Sequence, residues 1–297
     1  MAEGALPRDI WDQGFEEGER RMNRGLGGQA STALLGGFDV MLGLALVFSL
    51  SGALMAITTE EVSHAIGALP FGVAFVFITI GRSELFTENF LVPVGAYFAG
   101  RGPARLLYRM WGMTLIFNLV GIAILAALLA IDGVLPGGAL EAAGTLGDKF
   151  VERDFGEALA SAVVAGVAIT LYTWLILASK SEAARVVIAL MIGYVLLLPI
   201  LNHAIVSFGE VMLAIFAGTT DTTFWDVTWR MGVAVAGNTI GGIGFVTMTR
   251  LVQVSGEPHD AEHAENQRLR DRILLPSAWS KTEDAEPPKQ MREEDRQ

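Results

Sequence analysis

The sequence contains no cysteine among its 297 residues. It therefore cannot form a disulfide, a thiolate nucleophile or a cysteine-ligated zinc or iron–sulfur centre. Charged residues are also scarce: they make up 18% of the chain, whereas hydrophobic residues make up 52% and the mean hydropathy is +0.46. Because soluble domains are rarely this apolar, we predict an integral membrane protein whose solvent is the lipid bilayer.

The charges that are present lie mainly at the two ends of the chain and in short loops. The formal net charge of -11 then indicates solvated surface, and we expect no nucleic-acid partner. Residues 1–31 are polar and lack the apolar core and cleavage site of a secretory signal. We expect residues 1–31 to form a cytoplasmic segment, residues 32–253 a membrane domain, and residues 254–297 a charged cytoplasmic tail.

Six apolar segments are long enough to cross the hydrocarbon core. They lie at 32–57, 65–99, 110–131, 157–179, 186–218 and 231–252. Polar residues interrupt the second and the fifth segments, which are too long for one straight helix, so we predict that both are broken. Two sets of three spans, each with a broken middle member, must have opposite orientations, which is the inverted-repeat pattern. The predicted fold is an all-α membrane protein with six transmembrane helices.

Basic residues fall preferentially in alternate loops. Arg101, Arg105 and Arg109 follow the second span, and Lys180 and Arg185 follow the fourth. Loops that are rich in Lys and Arg stay in the cytoplasm. We therefore predict a multi-pass protein of the plasma membrane, the inner membrane in a bacterium, with both termini in the cytoplasm.

The two predicted breaks indicate a transport site. Irregular backbone at membrane depth must be buried in protein or line a watered cavity, and the ends of half-helices suit a small anion. His203 is the only histidine deep within an apolar span, and its ordinary pKa of about 6.5 would let it hold a proton during transport. A neutral imidazole that serves only packing is the alternative.

Three short motifs, in this order, are typical of one family. Leu85-Phe86-Thr87, Asn202-His203 and the Asn-Thr-Ile-Gly-Gly run that begins at Asn238 resemble the formate/nitrite transporter family over roughly residues 30–252. The resemblance implies an aquaporin-like protomer, assembled as a homopentamer with one pore in each subunit. It also implies a substrate that is a small monovalent anion or its acid, such as formate, nitrite or hydrosulfide.

The resemblance places five polar residues at the pore: Thr87, Asn202, His203, Ser207 and Asn238. It implies that the Thr87 hydroxyl bonds to His203 and that Asn238 supplies an amide to the same site. The family commonly has Glu immediately before the histidine and Asn four residues after it, where this chain has Asn202 and Ser207. The loss of a carboxylate there changes the supply of protons and hydrogen bonds around His203.

The resemblance also implies two apolar constrictions and a vestibule. Phe71 and Phe75 would form the cytoplasmic constriction, and Phe86 and Leu196 the outer one. Lys149, in the loop before the fourth span, would raise the local concentration of anions.

Four charged residues near the breaks depart from the family pattern: Arg82, Glu84, Glu88 and Glu210. We expect them to pair with one another, because an unpaired charge at this depth is costly. If Arg82 faced the pore instead, it would strengthen the preference for anions.

Three other function classes remain open. The same architecture would serve a channel for neutral solutes, and the charged tail would suit a non-conducting scaffold or sensor. An enzyme is disfavoured, because the spans contain neither a His/Glu metal cluster nor a Ser/His/Asp set. We expect no metal and no cofactor.

Overall fold

Residues 6–255 are described by the computed structural model and contain helices but no strands. The α-helices are α1 Pro7–Asn23, α2 Leu26–Met55, α3 Glu60–Gly67, α4 Gly72–Gly81, α5 Val92–Phe98, α6 Ala104–Leu129, α7 Ala139–Glu152, α8 Phe155–Ala178, α9 Glu182–Leu197, α10 Ala204–Ala217, α11 Phe224–Thr239 and α12 Met248–Ser255. Two 3-10 turns, at Leu69–Phe71 and Phe86–Phe90, and a π-helical stretch, Ile240–Thr247, complete the elements. The predicted charged tail lies outside the described residues from position 256 onward.

Five helical segments of the described residues are long and apolar enough to cross a membrane. They are Leu26–Met55, Glu60–Gly81, Ala104–Leu129, Phe155–Ala178 and Phe224–Ser255. The fifth predicted span is divided instead between α9 and α10, which have 16 and 14 residues. The all-α membrane fold is therefore confirmed, while the exact count of six spans stays a prediction.

Both predicted helix breaks are present. After α4, Arg82 adopts a left-handed conformation with φ 62°, and the chain is irregular until the 3-10 turn that begins at Phe86. After α9, Ile200 has φ 51°, and α10 begins at Ala204. Each break thus has a left-handed residue four positions before the next helical residue, as the inverted repeat would require.

Two amphipathic helices were not predicted from hydropathy. α1 lies within the polar N-terminal segment and buries Ile10, Trp11 and Met22, with the Trp11 ring 5.8 Å from that of Trp174 on α8. α7 lies in the long loop before α8 and packs against α10. Only one face of each helix is buried, so its other face is polar. Each helix is therefore too polar, as well as too short, to be recognised as a membrane span. These helices define two ends of the molecule, which we call the α1 face and the α7 face.

Glycines let α4 and α9 cross at close range. A Cβ atom added at Gly193 would lie 2.4 Å from the Cα of Gly72, and one added at Gly72 would lie 2.5 Å from the Cα of Leu190. Small residues at such crossings allow helix backbones to approach each other in membranes. This contact packs α9, which leads into the second break, against α4, which leads into the first.

We expect Gly193→Ala to destabilise the protein by about 1–3 kcal/mol, the usual cost of overpacking. Its methyl group would meet backbone atoms of α4 that cannot move aside. The matched control is Gly232→Ala on α11, whose added Cβ meets nothing within 4 Å in the protomer. Thermal unfolding in detergent would measure both variants, and equal melting temperatures would contradict the close crossing.

Candidate functional site

The two breaks meet at a hydrogen bond between Thr87 and His203. Thr87 lies in the 3-10 turn of the first break, and its Oγ1 is 2.8 Å from Nε2 of His203 in the second break. Both side chains are fully buried. The contact that the resemblance implies is therefore present, and it joins residues 116 positions apart in the chain.

The cap of α10 fixes which nitrogen of His203 carries the proton. The backbone N–H of Val206 donates to Nδ1 of His203 at 3.3 Å, so this nitrogen must be the unprotonated acceptor. The neutral ring then carries its proton on Nε2 and donates to Thr87. The hydroxyl proton of Thr87 remains available to donate to a solute. Protonating His203 would remove the acceptor that caps the helix.

Asn118 of α6 holds the first break together. Its Nδ2 donates to the carbonyl oxygens of Ala33 at 2.7 Å and Glu84 at 2.9 Å, and its Oδ1 accepts from the N–H of Phe86 at 2.9 Å. The Glu84 carbonyl and the Phe86 N–H belong to the break, whereas the Ala33 carbonyl lies within the continuous helix α2. One carboxamide thus satisfies the backbone on both sides of Leu85.

Asn238 of α11 performs the same task at the second break. Its Nδ2 donates to the carbonyl oxygens of Ala162 at 2.8 Å and Asn202 at 2.9 Å, and its Oδ1 accepts from the N–H of Ala204 at 2.9 Å. The amide that the resemblance places at this site therefore uses both of its N–H groups on backbone carbonyls, and its role towards a solute stays a prediction. Asn238 holds the backbone that carries His203.

The two asparagines place the breaks in register. Glu84 corresponds to Asn202 and Phe86 to Ala204, so Leu85 corresponds to His203. Asn118 was not among the predicted site residues. An asparagine in the third apolar span, opposite a predicted break, is the signal that would have identified it.

The remaining polar residues of the second break also contact backbone. Asn202 donates from Nδ2 to the carbonyl of Ala158 at 3.0 Å, and its own N–H donates to Oγ of Ser161 at 3.0 Å. Its Oδ1 is buried and has no partner among the described residues. Ser207 is buried one turn after His203 and donates its backbone N–H to the carbonyl of His203 at 2.8 Å. Asn202 thus holds the backbone at this break to α8.

Arg153 supports the second break from the α7 face. Its guanidinium donates to the carbonyl oxygen of Ile200, the left-handed residue, and to Oγ of Ser161 at 3.3 Å. Glu157 lies 3.8 Å from the same guanidinium. A β-branched residue in the left-handed region is costly, so this cation helps to hold a conformation that the chain would otherwise leave.

Arginines of the N-terminal segment support the first break. Arg24 lies 2.7 Å and Arg21 3.6 Å from the carboxylate of Glu84. Arg21 also donates to Oδ1 of Asn89 at 3.1 Å and contacts Glu17 at 2.8 Å. The prediction that the charges at the breaks pair with one another is therefore wrong for Glu84. Its partners are Arg21 of α1 and Arg24, the residue that follows α1. The N-terminal segment thus supplies the arginines that pair with Glu84 at the break.

Three other charges at the breaks also lack the predicted mutual pairing. Arg82 and Glu210 make no ion pair among residues 6–255, and the Glu88 carboxylate accepts only a 3.4 Å hydrogen bond from the N–H of Leu85. Arg82 and Glu88 line a cavity on the α1 face, whereas Glu210 is buried within α10.

Glu17 joins two of the arginines on α1. Burial raises the pKa of its carboxyl, but hydrogen bonds and charge from Arg20 and Arg21 outweigh burial and lower this pKa to about 2. Glu17 is therefore ionised at neutral pH, and its charge is offset within the helix.

The predicted constriction residues are all buried. The rings of Phe71 and Phe75 meet edge to face with centroids 5.8 Å apart, and Phe75 lies 5.3 Å from Tyr172. Phe86 packs on Trp111 with centroids 6.4 Å apart. Leu196 is next to Leu197, whose carbonyl lies 2.9 Å from Nε2 of His64 towards the α7 face. That these residues constrict a pore stays a prediction.

Lys149 lies on the α7 face, near the start of α3. Its Nζ is 2.5 Å from the carboxylate of Glu60, and about a third of its side chain is exposed. The charge that the resemblance assigns to a vestibule is thus partly offset by a partner in this chain. Its role in collecting anions stays a prediction.

We expect Asn118→Leu and Asn238→Leu to destabilise the protein to a similar degree. Each leaves one carbonyl and one N–H of its break without this partner, at about 1–3 kcal/mol for each buried group. The control is Asn23→Leu on α1, where the side chain makes one local bond to the carbonyl of Glu19. Melting temperatures of the purified proteins would show the effect. A clearly milder loss for one of the two would contradict their equivalence.

Comparison with known proteins places this geometry in a family. The model of the formate/nitrite transporter family matches residues 8–252. The inner membrane protein YfdC of Escherichia coli strain K12 is 23% identical over 262 residues, which cover 86% of this chain and 82% of that protein.

Solved structures show the same fold. A structure described as a pentameric formate channel with formate bound has a TM-score of 0.65 at 18% identity and covers 77% of this chain and 97% of its own. A structure described as an ion channel of the FNT family has a TM-score of 0.73 at 19% identity and covers 82% and 98%. The family match spans both breaks and the asparagines that hold them, and the chain belongs to the formate/nitrite transporter family.

Proposed function

We propose that this protein passes small monovalent anions, or their conjugate acids, across the membrane beside His203. The observation that carries the proposal is the buried hydrogen bond between Thr87 and His203, which joins the two oppositely oriented breaks. The family match supports a transport function, and the structural neighbour with formate bound supports a substrate of the formate class. Nitrite and hydrosulfide are the other candidates.

The geometry suits a solute that changes its protonation state on the way. A bare anion faces a large free-energy barrier at the buried aromatic side chains of Phe75 and Phe86, whereas the neutral acid faces a small one. At the centre, Thr87 offers a hydroxyl proton and the N-terminal end of α10 offers a positive dipole. A proton that enters from solution with the anion, and is held at this hydrogen-bonded pair of Thr87 and His203, lets the solute cross the constrictions as its neutral acid.

We also propose that five copies assemble, each with its own pore. The structural neighbour described as pentameric supports this assembly. Large apolar side chains on the membrane spans remain exposed in the single protomer, such as Leu42, Ile116 and Leu175. Such a surface suits contact with lipid or with a second copy of this chain.

We expect His203→Ala to abolish the pH dependence of formate flux in liposomes and Thr87→Val to lower the flux about tenfold or more. The first change removes the imidazole ring, and the second removes the hydroxyl that bridges the two breaks. The measurement is uptake of labelled formate at two pH values.

The matched control is Thr114→Val on α6, where the lost hydroxyl bonds only to the carbonyl of Met110 one turn earlier. It should leave the flux near the wild-type value. Parallel assays with nitrite, hydrosulfide, acetate and glycerol identify the substrate class. Unchanged pH dependence in His203→Ala removes the histidine from the mechanism, and swelling driven by glycerol alone would favour a channel for neutral solutes.

We propose that the α1 face lies in the cytoplasm. The loop between α8 and α9 lies on this face, since Arg185 and Arg20 line one cavity. The loop between α10 and α11 lies on the α7 face, since Thr220 donates to Asp148 of α7 at 2.5 Å. Most of the loop arginines lie on the α1 face, as the positive-inside rule requires for the cytoplasmic side.

The absence of cysteine makes this orientation directly testable. We expect a single cysteine introduced by Asp221→Cys to react with an impermeant maleimide in intact cells, and one introduced by Lys180→Cys to react only after lysis. Both positions are exposed in loops at opposite ends of the molecule. The reverse pattern would place the N-terminal segment outside the cytoplasm.

A further inference from the structure

Arg82 occupies a backbone position that favours glycine. Its φ of 62° lies in the left-handed region, where a side chain is disfavoured, and it ends α4 at the start of the first break. A strained residue that persists at a functional site is a reason to ask what its side chain does.

The Arg82 side chain lines two cavities on the α1 face. The smaller, of about 80 Å³, extends inward to Thr79 and Tyr172. The larger, of about 310 Å³, shares Arg20 on α1 with the smaller and also reaches Arg185 on α9. We call the larger one the arginine cavity.

The inner end of the smaller cavity reaches the predicted constriction. Thr79 donates from Oγ1 to the carbonyl oxygen of Phe75 at 2.6 Å and accepts from the hydroxyl of Tyr172. The ring of Tyr172 in turn packs on that of Phe75. Thr79, which lines both cavities, is therefore in direct contact with Phe75.

The charge balance of the arginine cavity favours an anion. Four arginines and two glutamates line it. Three of the arginines have carboxylate partners: Arg20 and Arg21 pair with Glu17, and Arg185 pairs with Glu182 at 3.0 Å. Arg82 makes neither an ion pair nor a side-chain hydrogen bond within residues 6–255, so its guanidinium can bind a ligand.

We propose that the arginine cavity is a collecting site for small oxyanions, with Arg82 as its anchoring donor. The guanidinium is a planar fork that matches two coplanar oxygens, as in a monocarboxylate or nitrite. Hydrosulfide and halides offer a single centre and gain only charge attraction. This inference rests on the proposed function and narrows its substrate class to oxyanions.

The test compares three substitutions at Arg82 in the full-length protein. Arg82→Lys keeps the positive charge but loses the planar pair of N–H donors. We therefore expect the KM for formate uptake to rise about tenfold, while the affinity for chloride is unchanged. Arg82→Gln should weaken the binding of both anions. Arg82→Gly should also weaken both, but it suits the left-handed backbone and should raise the melting temperature. Lost binding in a more stable protein cannot come from misfolding.

The matched control is Arg105→Gln on α6, which removes the same charge from the α1 face at an exposed residue outside both cavities. Binding of labelled formate and of chloride to the purified protein is measured alongside uptake into liposomes. If the Arg82 variants change formate uptake no more than Arg105→Gln does, the collecting site is overturned. If formate binding depends on Arg82 but the wild-type protein carries no anion flux, the proposed transport function is overturned and the binding site is retained.

Discussion

Satisfying the backbone of two broken helices within the membrane is the constraint on which the rest of the structure depends. Lipid offers no hydrogen-bond partners, so each break must find its donors and acceptors inside the protein. Asn118 and Asn238 meet this need with identical bond patterns, one carboxamide for each break. The inverted repeat is thus visible in hydrogen bonds as well as in helix order.

The symmetric scaffold holds chemically different centres. At equivalent positions the first break presents Leu85 and the second presents His203, so only one half supplies an ionisable ring. Thr87 from the first half completes the pair. Because the cap of α10 orients the imidazole, the same bonds that end the break also determine which nitrogen faces the hydroxyl.

Charges from outside the spans support both breaks, and they come from opposite faces. Arg21 and Arg24 neutralise Glu84 from the α1 face, while Arg153 holds the carbonyl of Ile200 from the α7 face. Glu84 is thus a charge at the first break that the N-terminal segment pairs, whereas Arg82 makes no ion pair within residues 6–255.

The sequence by itself determined the membrane class, the helical fold and the places where two helices break, because hydropathy and polar interruptions are local properties. It also identified His203 and Thr87 through a resemblance in short motifs. Only the tertiary structure decided what each polar group bonds to. The partners of Glu84 come from α1, from the residue that follows α1 and from α6, and those of Asn202 come from α8 and α11, far away in the chain. Pairing of this kind depends on how helices cross, and hydropathy carries no information about which face of one helix meets another.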